Sequence, residues 1–574
     1  MRHVTSGLAR AFVGAISLAA CSGGSNGGGG NHPNDAGNAP TSDGSQPPTT
    51  GPDGSLASDD ASPSSLDAGP IALDAATPTA TCTPPIAAVD TSTPTTVVGT
   101  GAGTCTEALF SAAIAKGGII AFNCGGPATI PITSEKELVT SGATVIDGGG
   151  QVTLDGGGTT RILHFNGGNY RTTTTTVTLQ NLTLAHAKAS GTPIPTAPAP
   201  CSQGYQIDGG GGAILINDGE LHVINCTFVE NAAASPGPDV AGGAIYATGS
   251  LGVKIVGSTF LGNTASNGGA VGCLNSDLAL ANDTFSQNSA TGSGANTVSS
   301  ACDAGGGEVG NGGNGGAISI DGGSDGALAV CGATFEHNVS GALGGAMFRT
   351  PDGATQASSF DRSSFDSNQA TQGGGAFYFH NSDLEITAST FSNNTAPGAG
   401  AIQADGTTLT LTNDTFAGNQ ATKGLGGAIS LFSNGGTITN CTFANDQSSG
   451  GNGYFAAAIA GGSTFTIANT LFANNTTQDQ YSPMQCQVSA TGSGDLQWPK
   501  DHVVGTGADT ACVTGITFAD PELGALADNG GPTLTTLPGA SGPAAGAGTA
   551  CPPTDQRGQT RKSTGCTAGA VELP

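Results

Sequence analysis

The chain has 574 residues, of which 96 are glycine, and only 10% of its residues are Asp, Glu, Lys or Arg. The 42 acidic and 15 basic side chains give a net charge of −27, which argues against nucleic-acid binding because phosphate backbones require clustered Lys and Arg. Abundant glycine with few aromatic residues favours repeated turns and short strands over a helical bundle.

The N-terminus predicts an exported protein. Arg2 and Arg10 accompany an apolar segment, residues 11–20, that is too short to cross a membrane as a helix. This segment ends in "LAAC", which resembles a bacterial lipobox, where a signal peptidase cuts before the Cys and lipid is attached to it. We therefore expect residues 1–20 to be a lipoprotein signal peptide and Cys21 to anchor the protein in the outer membrane or at the cell surface. An ordinary signal peptide with a coincidental Cys is the alternative.

The next two segments differ sharply in composition. Residues 21–80 are rich in Gly, Pro, Ser and Asp with almost no large apolar residue, so we expect a disordered tether. Residues 81–127 are expected to form an N-terminal cap. Within them, the stretch from Cys105 to Cys124 reads as a short amphipathic helix followed by a strand. Such a helix would cover the open end of a stack of strands, which otherwise invites edge pairing.

Residues 128–478 contain a repeat. Its motif is Thr-Phe, two variable residues, Asn, a polar gap and then Gly-Gly-Ala with an apolar residue, as in "DTFAGNQATKGLGGAIS". Most of the repeated phenylalanines are about 25 to 32 residues apart, a period typical of solenoid proteins. They are Phe228, Phe260, Phe285, Phe335, Phe365, Phe391, Phe416, Phe443 and Phe472.

The sequence pattern predicts two or three short strands in each repeat. Apolar residues alternate with polar ones after Gly-Gly-Ala and again before each Phe, and turn residues separate these stretches. The predicted fold is all-β: a right-handed parallel β-helix with a helical N-terminal cap and a small C-terminal module at residues 479–574. The Phe residues should stack inside, and the Asn three residues later should form a ladder of amides along one corner.

Two resemblances support this fold. The Phe-x-x-Asn and Gly-Gly-Ala-Ile pair resembles the repeats of polymorphic outer membrane proteins, β-helical surface proteins implicated in adhesion. The tail from Leu526 to Glu572, "LADNGGPTLTTLPGASGPAAGAG…DQRGQTR…CTAGAVE", is similar to the choice-of-anchor Q module that follows β-helical repeats in many secreted bacterial proteins. The first resemblance implies a surface protein with a binding role.

Fourteen cysteines are present, and 13 remain if Cys21 carries lipid. In an exported protein an odd number leaves at least one cysteine unpaired. Local pairs are the candidate disulfides: Cys105 with Cys124, Cys486 with Cys512, and Cys551 with Cys566. No Cys-x-x-Cys motif or Cys/His cluster occurs, so no metal site and no cofactor are expected.

The outward strand position after Gly-Gly-Ala holds the candidate binding face. Tyr246, Phe348 and Tyr378 occupy this position in separate repeats and would form an exposed aromatic strip for a glycan or a surface protein. If the insertion at residues 290–312 folds over the strip, these aromatics are local core instead.

Catalysis is the competing hypothesis, since many β-helices are polysaccharide lyases or hydrolases. Stacking would bring Asp321, Arg349, His380 and Asp405 onto one strip as an acid–base patch. The alternative is that these residues are structural: Asp commonly begins turns, and an irregular coil would let Arg349 face outward and pair with Asp361 or Asp366. Basic residues are scarce in the repeats, so the leading hypothesis is a non-catalytic, lipid-anchored binding or adhesion protein. An extracellular polysaccharide lyase or hydrolase and a structural surface-layer component are the alternatives.

Overall fold

The computed structural model describes residues 82–168, 170–193, 204–234, 237, 239–294, 312–322, 326–351, 356–432 and 434–574. Cys21, the predicted signal peptide and the predicted tether lie outside these residues. The described chain is a right-handed parallel β-solenoid of about 12 turns, which confirms the predicted fold class. Among the described residues, no helix has the length and apolar composition needed to span a membrane.

Each coil passes through three parallel sheets and, in most repeats, a two-residue strand at one corner. Sheet I follows the Gly-Gly-Ala motif and comprises Lys136–Glu137, Leu163–Asn166, Ile214–Asn217, Ile245–Thr248, Val271–Leu274, Ile318–Asp321, Met347–Thr350, Phe377–His380, Ile402–Asp405, Ile429–Phe432 and the first parts of Ile459–Ala468 and Cys486–Thr491. Sheet II comprises Thr96–Val98, Gly118–Phe122, the first parts of Thr144–Asp155 and Thr176–Ala185, Glu220–Ile224, Gly252–Val256, Leu278–Ala281, Leu328–Cys331, Gln356–Asp361, Ser382–Thr387, Leu409–Thr412, Gly436–Thr439 and the last parts of Ile459–Ala468 and Cys486–Thr491.

Sheet III carries the repeated Phe. Its strands are Ala128–Pro131, the last parts of Thr144–Asp155 and Thr176–Ala185, Thr227–Val229, Thr259–Leu261, Thr284–Ser286, Thr334–Glu336, Ser364–Asp366, Thr390–Ser392, Thr415–Ala417, Thr442–Ala444, Leu471–Ala473, Leu496–Trp498 and Thr517–Phe518. The corner strands are Thr264–Ala265, Ser289–Ala290, Val339–Ser340, Gln369–Ala370, Thr395–Ala396, Gln420–Ala421, Gln447–Ser448 and Thr476–Thr477.

The repeated phenylalanines form a continuous stack inside the solenoid. All nine are fully buried. Neighbouring ring centroids lie 4.6 to 5.3 Å apart, and the ring planes differ by 2° to 16°. This spacing is close to that of hydrogen-bonded strands, so in-register pairing of Phe with Phe produces the stack. The prediction of an inward Phe column is confirmed.

The repeated asparagines form the predicted ladder. Asn263 shows the pattern: its Oδ1 accepts the backbone N–H and the Nδ2 of Asn231, both at 3.0 Å. Its Nδ2 in turn donates to Asn288 Oδ1 at 3.0 Å and to the carbonyl oxygen of Phe228 at 3.1 Å. Every amide is therefore satisfied without water, which makes the buried corner stable.

The Gly-Gly pair of the motif closes the coil tightly. The second glycine lies so near the next coil that a Cβ on Gly316 would clash with the carbonyl oxygen of Gly345. The first glycine has a positive φ, as at Gly315 (69°), which disfavours other residues. Glycine is needed here for space and for backbone conformation.

The predicted N-terminal helix spans Glu107–Ile114, and Thr106 caps it by accepting a hydrogen bond from Leu109 N. Phe110, Ala113 and Ile114 are buried in the main core, and the strand Gly118–Phe122 follows, as predicted. Parallel strand pairing already begins at Thr96–Val98 and continues to Thr517–Phe518. The stacked coils therefore extend past residues 128–478 at both ends.

Two chain segments run along the outside of the coils. The segment after Phe518 has no further strand and lies against sheet III, where Asn469, Asn440 and Asn413 donate to Thr549 O, Thr567 O and Thr554 O. Two hydrogen bonds hold the N-terminal segment against the coils. Cys82 N donates to Asn282 Oδ1 at 2.8 Å, and Thr91 Oγ1 donates to Asp147 Oδ2 at 2.6 Å. Both segments satisfy side chains at the corner between sheets II and III.

The three predicted disulfides, Cys105–Cys124, Cys486–Cys512 and Cys551–Cys566, are present. A fourth, Cys82–Cys331, joins residues 249 positions apart and was missed because local spacing carries no signal for it. Among the described cysteines, Cys226, Cys273 and Cys441 are unpaired and buried.

Candidate functional site

The predicted aromatic strip is not an exposed surface. Tyr246 is only 3% exposed and Phe348 only 7%, while Tyr378 is half-buried and stacks on Phe348 with ring centroids 5.7 Å apart. Tyr246 is covered because residues preceding its strand fold back over the ring: it packs with Ala241 and donates its hydroxyl to Asp239 O at 3.0 Å. Burial raises the pKa of Tyr246 well above its ordinary value. The exposure predicted for Tyr246 and Phe348 is therefore wrong.

The four candidate catalytic residues do not form one patch. Arg349 points into the solenoid, 1% exposed, in register with Ile320 and Phe379 on the inner face of sheet I. It does not face outward towards Asp361 or Asp366, because it occupies the inward position of the strand. His380 lies beside Asp405, with 3.7 Å between His380 Nδ1 and Asp405 Oδ2. Asp321 pairs with Thr350, so a whole coil separates it from His380.

Arg349 is a charged side chain buried in the apolar core. Its Nη2 donates to Gly326 O, while its Nε and Nη1 have no hydrogen-bond partner among the residues described. Burial lowers the pKa of the Arg349 guanidinium to about 10. A guanidinium enclosed in this way has no described access to a substrate.

Two clusters of described residues have the donor types of a metal site. In one of them, Cys82 and Cys331 beside Asp361 are already joined in a disulfide, and the other surrounds His164. His164 Nδ1 lies 2.6 Å from Glu137 Oε1 and 3.5 Å from Glu135 Oε1 on adjacent coils of the N-terminal end. These groups already satisfy one another. Arg161 pairs with Glu135 at 2.7 Å, and Asn217 Nδ2 lies 3.3 Å from His164 Nε2. The arrangement is explained as an ion-pair network.

Two open depressions remain as candidate sites. The tail cleft, with a volume of about 440 Å³, lies where the C-terminal segment crosses the coils and is lined in part by Asp361, Arg362, Asp555 and Arg557. Its charges neutralise one another: Arg362 Nε donates to Asp361 at 2.9 Å, and Arg557 Nη2 donates to Asp555 at 2.8 Å. The cleft is a polar contact region between the C-terminal segment and the coils.

The second depression is the aromatic groove, on the outer side of sheet I, with a volume of about 300 Å³. This size is at the lower end of typical ligand pockets. We define the groove by its chief lining residues, Gln403, Lys423, Leu425, Ser430, Phe432, Tyr454 and Phe455. Gln403 and Ser430 are paired on neighbouring strands and form its floor.

Two loops of adjacent coils form the walls of the groove. Lys423 and Leu425 precede the strand Ile429–Phe432, and Tyr454 and Phe455 lie in the longer loop between Gln447–Ser448 and Ile459–Ala468. The loops are bonded to each other, since Gly426 N donates to Phe455 O at 3.3 Å and Ser448 Oγ donates to Gly424 O at 2.8 Å.

Further contacts hold the aromatic loop in place. Tyr454 O accepts a hydrogen bond from Thr477 Oγ1, and the Tyr454 ring packs against Gly450. Asp479 accepts hydrogen bonds from Gly453 N and Tyr481 N, which lower the pKa of its carboxyl below the ordinary value. The groove is therefore a preformed feature of the solenoid surface.

The groove presents apolar rings beside polar groups without intramolecular partners. Phe432 is 49% exposed, and Tyr454 and Phe455 are half-buried. The Gln403 amide makes no hydrogen bond within the described part of the chain, although its Oε1 is buried. Lys423 makes no ion pair with any described residue. A few convergent polar groups in an apolar depression are typical of a ligand site.

Sequence reasoning missed Phe432, Tyr454 and Phe455. The sequence held a signal for two of them. The stretch "SGGNGYFAA" lengthens the loop before the sheet I strand of that coil, and it places two aromatic residues in a glycine-rich turn. The prediction followed strand positions, where side chains recur with the repeat, and overlooked the loops between them.

Comparison with known families agrees with the observed architecture. A family model described as "Right handed beta helix region" matches residues 316–497, which include the whole aromatic groove. No curated protein matches the chain. The resemblances to polymorphic outer membrane protein repeats and to the choice-of-anchor Q module remain predictions.

Proposed function

We propose that this protein is a non-catalytic carbohydrate-binding protein that is exported and held at the cell surface through lipid on Cys21. The aromatic groove is the observation that carries the proposal. Partly exposed rings beside an amide without an intramolecular partner in the described chain match the needs of a sugar, whose ring offers apolar C–H faces and hydroxyl groups at its rim. The Gln403 amide N–H groups can donate to such hydroxyls, whereas its Oε1 is buried.

The lining of the groove supports binding over hydrolysis. Glycoside hydrolysis generally requires two carboxyl groups about 5–10 Å apart across the scissile bond. Among the described residues that line the groove, none carries a carboxylate. An extracellular lyase or hydrolase and a surface-layer component are the alternative functions. The experiments below distinguish them from binding.

The first experiment is a glycan-array screen of the full chain, with a reducing-sugar and unsaturated-product assay on every glycan that binds. We expect binding without product release. Tyr454→Ala should weaken binding about tenfold or more, as expected for an aromatic anchor. Tyr170→Ala is the matched control, because Tyr170 is 58% exposed and lies outside the groove.

Three outcomes would contradict the proposal. Equal loss of binding in both tyrosine variants would mean that the groove is not the site. Release of sugar products would support an enzyme, particularly if His380→Ala stopped it. Absence of binding to any glycan would favour a structural role. Gln403→Ala, with unchanged far-ultraviolet circular dichroism, provides a second groove variant if Tyr454→Ala alters folding.

The anchoring part of the proposal has a separate test. Cys21→Ser should move the protein from the membrane fraction to the soluble fraction and remove the lipid mass from its N-terminus. A variant that stays membrane-bound with an unchanged N-terminal mass would refute lipidation at Cys21 and leave the groove hypothesis unaffected.

A further inference from the structure

Among the described residues that line the aromatic groove, one side chain, Lys423, is cationic. The protein carries a net charge of −27, with only 15 Lys and Arg side chains. Most of the basic side chains in the described chain are paired: Arg161, Arg171, Arg362, Arg557 and Arg561 each have a carboxylate partner, as do Lys136, Lys254 and Lys562.

Lys423 differs from these residues. It is exposed, lines the groove, and forms no ion pair with any described residue. Its backbone is nevertheless held, because Lys423 N donates to Pro397 O at 3.0 Å. The loop that carries Lys423 and Leu425 on one wall of the groove is thus held at its backbone.

We propose that the groove selects a sugar that carries one carboxylate, with the carboxylate paired to Lys423 and the sugar ring against the aromatic residues. This inference rests on the proposed carbohydrate-binding function and names the class of sugar. The charge argument favours an anionic ligand because an exposed cation in an acidic protein attracts anions locally, while the remaining surface repels polyanions. One carboxylate per site matches one ammonium group.

Matched neutral and acidic glycans test the proposal. The full chain is applied to an array on which each neutral oligosaccharide stands beside its oxidised form, in which one C6 hydroxymethyl group has become a carboxylate. We expect the acidic member of the bound pair to bind about threefold to fivefold more tightly, the size of one exposed ion pair. This preference should diminish as the salt concentration rises, because salt screens exposed charges.

Variants assign the preference to one residue. Lys423→Gln should abolish the preference for the acidic glycan, and Lys423→Arg should keep it. Lys116→Gln is the matched control, since Lys116 is also an exposed lysine and lies in the N-terminal cap, far from the groove in sequence.

The outcomes separate the two proposals. Equal binding of neutral and acidic glycans, with Tyr454→Ala still weakening both, overturns the carboxylate inference and leaves the carbohydrate-binding function intact. A preference that survives in Lys423→Gln also overturns the inference. Binding of no glycan, or binding that Tyr454→Ala does not change, refutes the proposed function itself.

Discussion

Sheets I and III are built from the same repeat but vary in different ways. In sheet III the inward position holds Phe in nine successive coils, and each ring packs on an identical ring. In sheet I the corresponding inward position changes from coil to coil, from Ile320 to Arg349 to Phe379. Its outer positions change as well, from Tyr378 to Gln403 to Ser430.

The difference follows from what each side chain contacts. A Phe or Asn that packs on its own counterpart one coil away is restricted on both sides, so nearly every copy keeps the same residue. A side chain on the outer face of sheet I contacts loops that differ between coils. Uniformity therefore marks the parts that hold the solenoid together, and variation marks where a site can form.

The largest expected effect is at the stack. Phe416 is fully buried between Phe391 and Phe443, at centroid distances of 4.9 and 4.8 Å. Phe416→Ala should cost about 3–5 kcal/mol in the free energy of unfolding by opening a cavity. Because solenoid stability is a sum over neighbouring coils, hydrogen exchange should rise mainly in the adjacent coils. The matched control is Phe432→Ala on the outer face, which should cost far less. Equal losses would contradict the comparison.

An intermediate effect is expected at the one Asp in the Asn ladder. Asp446 Oδ1 accepts from Asn419 N and Nδ2 at 2.8 and 2.9 Å, but its Oδ2 has no partner among the described residues. In the neighbouring rung, Asn475 Nδ2 donates to Phe443 O. The atom equivalent to this donor in Asp446 is Oδ2, so a proton there would restore the missing hydrogen bond to Phe416 O.

The pH dependence follows from this geometry. Burial raises the pKa of Asp446 from 3.8 to about 8, so between these values the folded state keeps a proton that the unfolded state has lost. The stability contributed by Asp446 is therefore present below pH 4 and is lost as the pH rises towards 8, by at most about 1.4 kcal/mol per pH unit. Asp446→Asn should remove this dependence and stabilise the protein by about 1–3 kcal/mol near pH 8.

A second buried Asp provides the control. The Asp414 carboxylate accepts two backbone hydrogen bonds, from Ser389 N to Oδ1 and from Thr412 N to Oδ2. In Asp414→Asn the new amide nitrogen would face one of these N–H groups, so this variant should destabilise the fold. Denaturant unfolding of both variants between pH 5 and pH 9 measures the difference. Stabilisation by both substitutions, or by neither, would contradict the ladder argument.

The smallest effect is expected at Arg349. Replacing it with Met removes a buried cation whose Nε and Nη1 have no partner in the described part of the chain, but it also removes the hydrogen bond to Gly326 O. The two effects oppose each other, so Arg349→Met should change the free energy of unfolding by no more than about 1 kcal/mol in either direction. A loss of several kcal/mol, measured by urea unfolding, would mean that sheet I depends on this residue as sheet III depends on Phe416.

Much of the fold was predictable from the sequence, and little of the site was. The Phe and Asn repeats, the helix at Glu107–Ile114 and three disulfides follow from local spacing. The buried state of Tyr246, the inward direction of Arg349 and the aromatic groove required the structure. Each of these depends on how an irregular loop or strand packs, and the repeat carries no information on such packing.

The sequence by itself determined the parallel β-helix, because in-register stacking of one coil on the next relates each residue to its counterpart about 25 to 32 positions away in most repeats. Only the tertiary structure decided which surfaces are covered. The disulfide Cys82–Cys331 and the hydrogen bond from Asn413 to Thr554 join segments that share no repeat and are far apart in the chain. Contacts of this kind depend on the three-dimensional path of the chain, and that path determines where the aromatic groove stays open.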